Sequence, residues 1–181
     1  RLFYESSPNE VERKKKEKMT ADKIWTIERK NEEKFLRKKT PSLDIAREDK
    51  KELKALVGKM RAIMKQSNGI GLSANQIGLQ KRIFVAQVPD DDGRQKFYAV
   101  LNPLITKLSS KKTLNEEGCL SVPLTITGLV ERPEKIVLEG RDIRGKKIKI
   151  KAWGLLARVF QHEVDHLNGA LFIDKAKSLK K

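Results

Sequence analysis

The feature that most constrains the fold is one helical segment near the C-terminus that contains both histidines of the chain. His162 and His166 stand four residues apart in the sequence QHEVDH at residues 161–166. A helix places residues four apart on the same face, so both imidazoles can reach one metal ion. Because Leu155 and Val159 precede the histidines at helical spacing, the pair continues an apolar stripe. The fold must therefore bury this face of the helix.

The residue after the first histidine gives the segment a catalytic interpretation. Glu163 can direct its carboxylate to a water molecule beside the metal and accept a proton from it, as in other HExxH sites. The alternative is a pair of ordinary histidines in the core or on the surface. Since the chain has only two histidines, an accidental HExxH arrangement is the weaker explanation.

The third metal ligand has to come from outside this helix. Phe172 occupies the position at which one class of zinc peptidases has a third histidine, and Asp174 is the one carboxylate after His166. We therefore expect a ligand upstream, and Cys119 is the leading candidate because a thiolate binds zinc and ferrous iron strongly. A lone cysteine is otherwise most often a small buried apolar residue.

The composition excludes some classes of protein and favours an anionic partner. The 181 residues include 40 Lys and Arg against 24 Asp and Glu, a net charge of +16, which favours nucleic acid, a ribosome or another acidic surface. A generally basic surface without a dedicated partner is the alternative. No apolar run approaches the roughly 18 residues that cross a bilayer, and one cysteine cannot form an intramolecular disulfide.

Charge separates the start of the chain from the rest. Basic runs at residues 13–18 and 37–39 have few apolar residues between them, which is typical of an extension or a surface helix. We predict a charged N-terminal extension at residues 1–33 and a globular domain at residues 34–181.

Hydrophobic periodicity predicts the elements of this domain. Apolar residues at spacings of three and four indicate an amphipathic helix that ends near Ser67: Leu53, Leu56, Val57, Met60, Ile63 and Met64. Strands are predicted at 82–88, 97–101, 135–139 and 146–152, as two hairpins. We therefore predict an α+β fold in which antiparallel sheets pack around a central helix that carries HExxH, with an N-terminal helix before them.

Two further motifs accompany the histidine helix. The sequence GIGLSANQ occupies residues 69–76 and EGCLS occupies residues 117–121. Together with QHEVDHLNG at residues 161–169 they resemble, in order and separation, the GxGLAAxQ, EGCLS and QHExDHLxG motifs of the peptide deformylases. The likeness extends over about residues 34–174. It implies a metal-dependent hydrolase that removes the N-formyl group from the N-terminal formylmethionine of newly synthesised proteins and releases formate.

The resemblance assigns a role to each metal-capable residue. Cys119, His162 and His166 are expected to hold one divalent metal ion, with Fe²⁺ as the first choice and Zn²⁺, Ni²⁺ or Co²⁺ as alternatives. Glu163 is expected to take a proton from the attacking water and to return it to the departing amine.

The same resemblance assigns groups that contact the substrate. The side-chain amide of Gln76 and the backbone N–H of Leu120 are expected to stabilise the charge that develops on the formyl oxygen. Main-chain groups around Ile70, Gly71 and Gly118 are expected to pair with an extended substrate peptide.

Some positions depart from the family pattern. Ser73 replaces the more usual alanine of the first motif, and Ile126 and Thr127 stand where many bacterial relatives have a substrate-contacting arginine. Arg132 is a weak substitute for that contact. Glu117 is expected to brace the cysteine loop or to line the methionine pocket.

The resemblance also implies partners and a location. The substrates are N-formylmethionyl nascent peptides, and a monomer in a bacterial cytoplasm is expected, with an organelle as the alternative and no membrane association. The chain lacks the long basic C-terminal helix through which some relatives bind the ribosome, so any ribosome association is expected to use the remaining basic surface.

Two other functions stay open from the residues alone. A zincin-like peptidase would use the same histidines with a carboxylate as third ligand. A basic ribosome- or RNA-binding protein with a degenerate metal site would account for the charge, although the intact Gln76, Cys119 and Glu163 speak against a loss of activity.

Overall fold

A computed structural model describes residues 23–90 and 92–180 of the chain. The basic run at residues 13–18, most of the predicted extension and one residue of the first hairpin turn lie outside these ranges. The helices are α1 (Lys30–Leu36), α2 (Lys50–Gln66) and α3 (Gly154–Leu167). The strands are β1 (Gly71–Ser73), β2 (Ile83–Pro89), β3 (Gln95–Leu108), β4 (Lys112–Glu117), β5 (Thr127–Pro133), β6 (Lys135–Arg141), β7 (Lys147–Trp153) and β8 (Ala176–Lys180).

The strands form two sheets in which every neighbouring pair is antiparallel. The larger sheet has the order β1-β2-β3-β6-β7, and the smaller sheet has the order β4-β5-β8. The prediction of an α+β fold with antiparallel sheets is therefore confirmed. Both predicted hairpins are present, since β2 pairs with β3 and β6 pairs with β7.

Strand β3 is longer than the sequence pattern predicts. The predicted strand stops at Leu101 because Asn102 and Pro103 interrupt the apolar run, yet β3 continues to Leu108. It does so by passing through register shifts as it pairs with β6. Asn102 adopts a φ of +49° at this point, and its side-chain amide bonds both backbone groups of Leu43 at 2.7 and 2.8 Å. The backbone of a distant loop therefore stabilises the irregular position through the Asn102 side chain.

Strand β2 is buried on both faces and separates two hydrophobic layers. Ile83 and Val85 belong to the cluster that contains the buried face of α2. Phe84 belongs to the cluster that contains the buried face of α3, where its ring centroid lies 5.3 Å from that of Phe160. Because successive strand residues point to opposite faces, α2 and α3 pack on opposite sides of the larger sheet. The helix that carries the histidines is thereby held against the face of this sheet that is opposite α2.

The segment before α2 packs against the domain from residue 23 onward. Trp25 N–H donates to Gln76 O at 2.7 Å and Ile27 N–H donates to Ser121 O at 2.9 Å. Glu32 is buried, and its carboxylate accepts hydrogen bonds from Lys23 Nζ at 2.8 Å and from the backbone N–H of Thr26 at 2.9 Å. Residues 23–33, which the sequence assigned to an extension, therefore contact the domain through the backbone of Trp25 and Ile27, while Glu32 is bonded by groups of the same segment.

None of the helices in the described ranges is both long enough and apolar enough to cross a membrane.

The Trp25 indole lies directly over Gly78, the residue that ends the short 3-10 helix Ala74–Ile77. Gly78 has a φ of +80°, and a Cβ at this position would lie 2.6 Å from Trp25 Cζ2. Gly93, in the turn between β2 and β3, has a similar φ of +78° but no described atom within 4 Å of a Cβ. The two glycines therefore share the backbone constraint and differ in the contact with the indole.

We expect Gly78→Ala to destabilise the protein more than Gly93→Ala. Both substitutions place an alanine in the left-handed region, at about 1–2 kcal/mol, and Gly78→Ala adds about 1–3 kcal/mol because the indole has to move. Urea unfolding followed by circular dichroism measures the difference. In a Trp25→Ala background the extra loss should disappear. Equal losses in the original background would contradict the packing of Trp25 on Gly78.

Candidate metal centre

Three potential metal ligands from two parts of the chain converge beside α3. Cys119 Sγ lies 3.1 Å from His166 Nε2, and His166 Nε2 lies 3.3 Å from His162 Nε2. The ligand atoms of the three residues are all within 4.8 Å of one another. Cys119 and His166 are buried, and His162 is partly buried. The structure thus brings together the three residues that the sequence singles out as metal ligands.

A tight turn after β4 presents the sulfur to the helix. The backbone N–H of Val122 donates to Cys119 O at 3.1 Å and closes the turn. The backbone N–H of Ser121 lies 3.3 Å from Cys119 Sγ and donates to it. The histidines are in place because α3 sets them one turn apart on its inner face.

The charges of the three groups stabilise one another. Burial raises the pKa of the Cys119 thiol, but the charge of His166 and hydrogen bonds from both histidines outweigh it, so this pKa lies well below its ordinary value. Burial lowers the pKa of His162, whereas hydrogen bonds to Cys119 and Glu117 raise it to about 10. Cys119 is therefore held as a thiolate, the form in which a cysteine binds metal.

The three donors fit a divalent metal ion. A thiolate sulfur and two imidazole nitrogens are ligands that zinc and ferrous iron accept. Three protein ligands are also the number that catalytic zinc sites use, which leaves a position for water or substrate. Asp174, the one carboxylate after His166 and so a candidate ligand of a zincin-like site, is engaged elsewhere: it accepts from Leu171 N–H at 2.7 Å and bonds Arg37.

A buried ion-pair network orients His162. Its Nδ1 donates to Glu117 Oε2 at 3.1 Å, which leaves Nε2 directed at the other ligands. Arg132 donates to both oxygens of Glu117 at 2.6 and 2.9 Å, and Arg158 donates to Oε1 at 2.6 Å. Burial raises the pKa of Glu117, but the hydrogen bonds from Arg132 and His162 outweigh it and lower this pKa below its ordinary range. Arg132 also donates to Asp165 Oδ2 at 2.7 Å.

Two arginines of this network were not assigned such a role from the sequence. Arg132 was considered as a weak substrate contact, but it is buried and its guanidinium is directed to Glu117 and Asp165. Arg158 precedes His162 by four residues and so shares its helix face. Its position one turn before His162, on an apolar stripe, was the sequence signal that could have indicated this role.

Residue Asn75 connects the first motif to the histidine helix. Its Nδ2 donates to His166 O at 2.6 Å, so the second histidine of α3 cannot shift without breaking a buried hydrogen bond. Asn75 was not predicted as a site residue, because an asparagine in a loop carries no indication of its distant partner.

The general-base candidate lies on the inner face of the same helix. Glu163 is buried, and its Oε2 has no hydrogen-bond partner among the described residues. Burial raises its pKa to about 7, and the negative charge of Cys119 adds to this effect against the charges of the two histidines. Gly71 makes room for the carboxylate, since a Cβ on Gly71 would lie 2.3 Å from Glu163 Oε1.

Gln76 is held with its amide nitrogen directed at the ligands. Its Oε1 accepts from both the backbone N–H and the hydroxyl of Ser73, each at 2.9 Å. Its Nε2 therefore faces Cys119 Sγ, at 3.7 Å, and Ser121 Oγ, at 3.1 Å. The hydroxyl of Ser73, where relatives more often have alanine, adds one of the two bonds that set this orientation.

These groups surround a cavity of about 310 Å³. Eight of the nine site residues predicted from the sequence line it, and the ninth, His166, is buried. The eight are Ile70, Gly71, Gln76, Gly118, Cys119, Leu120, His162 and Glu163. The apolar side chains of Leu124, Leu155 and Val159 complete part of the wall. A cavity with an apolar wall and a polar cluster at one place is typical of a small-ligand or peptide site.

Known proteins share this sequence and fold. A family model described as polypeptide deformylase matches residues 22–181. A peptide deformylase of Thermodesulfovibrio yellowstonii is 45% identical over 130 residues, which cover 72% of this chain and 78% of the relative. A chloroplastic peptide deformylase 1B of Oryza sativa is 41% identical over 123 residues, covering 68% of this chain and 45% of the relative.

The fold of the chain is also found among solved structures. A class I type b peptide deformylase from Acinetobacter baumannii, in a crystal structure with Met-Ala-Ser bound, has a TM-score of 0.76 and 31% sequence identity. The match covers 84% of this chain and 96% of that one. With the three motifs gathered at one cavity and the family model matched from residue 22 onward, the chain belongs to the peptide deformylase family.

Proposed function

We infer that the chain removes the N-formyl group from formylmethionine at the N-terminus of newly synthesised proteins and releases formate. The observation that carries this function is the convergence of Cys119, His162 and His166 with Glu163 at the cavity of a deformylase-family chain. The reaction is the hydrolysis of a formamide bond, which needs an activated water, a stabilised carbonyl oxygen and a proton for the departing amine.

We propose that Cys119, His162 and His166 hold one divalent metal ion, with Fe²⁺ as the native ion. When bound there, the ion supplies Lewis-acid chemistry that lowers the pKa of water and polarises a carbonyl group. Glu163 accepts the proton of the attacking water on its carboxylate and later donates it to the amine nitrogen. A buried carboxylate suits both steps, because its raised pKa makes it a usable acid as well as a base.

The remaining proposed roles concern the substrate. Gln76 Nε2, fixed by Ser73, donates to the formyl oxygen together with the backbone N–H of Leu120. The peptide pairs with main-chain groups around Ile70, Gly71 and Gly118. Strand β1 supports this pairing because it is the outermost strand of its sheet and bonds β2 on one side. Recognition through the backbone ignores substrate side chains, which suits an enzyme that acts on many nascent chains.

The organisation of the whole chain is a further part of the proposal. We place the start of the enzymatic domain near residue 23, where contacts with the Gln76 and Ser121 loops begin, and keep only residues 1–22 as the charged extension. Helix α3 is proposed as the central element, since it contacts strands of both sheets. We propose a monomer that works in a bacterial cytoplasm, with an organelle as the alternative.

We expect Glu163→Gln to reduce formate release from a formyl-Met peptide by about 10²–10⁴-fold, the contribution of a positioned general base. The metal content of the purified variant should stay unchanged, because Glu163 is not among the proposed ligands. Glu139→Gln, on the surface, is the matched control and should keep full activity. A loss of less than tenfold for Glu163→Gln would contradict the role of its carboxylate.

Gly71→Ala should inactivate the enzyme through the displaced carboxylate. The added Cβ would overlap Glu163 Oε1, whereas a Cβ on Gly118 would meet nothing closer than 3.8 Å. We therefore expect Gly71→Ala to lower kcat by about 10²-fold or more and Gly118→Ala, which keeps its backbone groups, to stay within about threefold of the original kcat. Steady-state kinetics on a formyl-Met peptide measures both. The idea fails if the two alanines behave alike.

Metal removal provides the test of the donor set and of the ion. Treatment with a chelator should abolish formate release, and anaerobic addition of Fe²⁺ should restore it. Cys119→Ala should fall to less than about a tenth of the original metal stoichiometry in elemental analysis, because the thiolate is lost from the site. Retention of metal by a folded Cys119→Ala protein would rule out this ligand, and faster turnover with Zn²⁺ than with Fe²⁺ would rule out iron as the native ion.

A further inference from the structure

The strands β3, β6 and β7 carry a second charged surface, on the face of the larger sheet opposite α3. Along β7 the exposed residues alternate with partly buried or buried ones, and Trp153 ends the row with 53% of its surface exposed. The cross-strand partners of this row on β6 are the outward residues from Lys135 to Arg141. We name this surface the basic face; its basic residues are Lys107, Lys135, Arg141, Lys147, Lys149 and Lys151.

The positive charge of the basic face is largely unneutralised. One acidic residue, Glu139, lies within it and pairs with Lys149 at 2.9 Å. Arg141 donates to the backbone carbonyl of Gly145. Lys135, Lys147 and Lys151 form no ion pair with any described residue.

The smaller sheet shows that this is not a general property of strand lysines here. On β4-β5-β8, Lys112 and Lys177 both pair with Glu131, at 3.6 and 2.7 Å, and Lys180 pairs with Glu116 at 3.4 Å. These lysines of the smaller sheet are therefore paired with acids, whereas Lys135, Lys147 and Lys151 of the basic face form no ion pair with a described residue. The basic face has the charge of a surface that meets a polyanion.

Protection of a sheet edge does not explain the whole surface. Lysines on an outermost strand such as β7 prevent pairing with other chains. Lys135, however, belongs to β6 and has backbone partners on both sides, Trp153 of β7 and Ser109 at the end of β3. An exposed tryptophan at the end of β7 works against such protection, since large apolar groups promote association.

We propose that the basic face binds a single-stranded RNA, with the phosphates along the lysine row and an unpaired base on Trp153. From Lys147 to Trp153 the strand rises about 20 Å, which gives the phosphates a row of cations and the base an aromatic platform at its end. This inference rests on the proposed function, because nascent formylated chains emerge from an RNA-rich assembly. It assigns the RNA to a surface apart from the cavity that takes the peptide.

The test measures binding of a fluorescein-labelled 12-nucleotide oligouridine by fluorescence anisotropy at 50 and 200 mM salt. For about four neutralised phosphates, the affinity should fall by about 50-fold between these concentrations. The variant Lys147→Gln/Lys149→Gln/Lys151→Gln should bind at least tenfold more weakly, with a shallower salt dependence. Trp153→Ala should weaken binding by about tenfold and leave the salt dependence unchanged, because it removes stacking and no charge.

The matched control is Lys112→Gln/Lys177→Gln/Lys180→Gln, which removes the same charge from strands of the other sheet. It should bind the RNA within twofold of the original protein. Equal weakening by both triple variants would overturn the proposal in favour of a diffuse basic surface. Equal affinity for polyglutamate would overturn it in favour of an acidic protein, and an unchanged affinity of Trp153→Ala would overturn the choice of unpaired bases.

Formate release from a short formyl-Met peptide separates this proposal from the proposed enzymatic function. The β7 triple variant should retain full activity on that peptide, because its lysines do not line the cavity. Loss of RNA binding with activity intact supports the basic face. If the original protein is active but binds no RNA, the RNA site is overturned and the deformylase function stands. If it binds RNA but releases no formate, the RNA site stands and the deformylase function is overturned.

Discussion

Burying two imidazoles and a carboxylate on the inner face of one helix is unfavourable unless their polar atoms find partners. Much of the structure around α3 supplies such partners. The thiolate of Cys119 lies against both histidines, and Glu117 accepts from His162 on the far side of its ring. Glu117 is itself buried and therefore needs the two arginines that bond it. Each buried charged group in this part of the chain is thus stabilised by an oppositely charged neighbour, which in turn needs a partner of its own.

The contacts that satisfy these charges also join distant parts of the sequence. The turn at Cys119, the 3-10 helix with Gln76 and helix α3 come from separate regions of the chain, and hydrogen bonds from Gln76 and Asn75 connect them. Catalysis requires the reacting groups to lie a few ångströms apart in a fixed geometry. This arrangement provides that geometry, since the hydrogen bonds hold each group near its working position. Strand β2 contributes by keeping α2 and α3 on opposite sides of the sheet.

The parts of the fold that the sequence predicted are those in which a short pattern decides the structure. The apolar stripe of α3 and the alternation along β7 depend on burial of one face, so both were visible in the residues. Strands β4, β5 and β8 were missed, because their residues are largely polar and become strands through pairing with one another. The packing of residues 23–33 was missed because the backbone of Trp25 and Ile27 bonds residues far along the chain, Gln76 and Ser121.

For the candidate site, the three motifs indicated nine residues; eight of them line one cavity, and the ninth, His166, is buried beside it. What the sequence could not indicate were partners separated by long stretches of chain. Arg158 and Asn75 have ordinary identities, and their importance follows from the atoms they meet, Glu117 and the carbonyl of His166. Motifs specify the groups that act on a substrate more readily than the groups that hold them.

The segment around Trp25 and Ile27 has a consequence for how the molecule opens. Its two backbone hydrogen bonds end on the loops that carry Gln76 and the Cys119 turn. Detachment of this one segment would therefore remove a backbone contact from both loops in a single event of local unfolding. The amide protons of Trp25 and Ile27 exchange with solvent only when that event occurs, so their exchange rates report how often the segment leaves the catalytic loops, although neither residue belongs to the cavity.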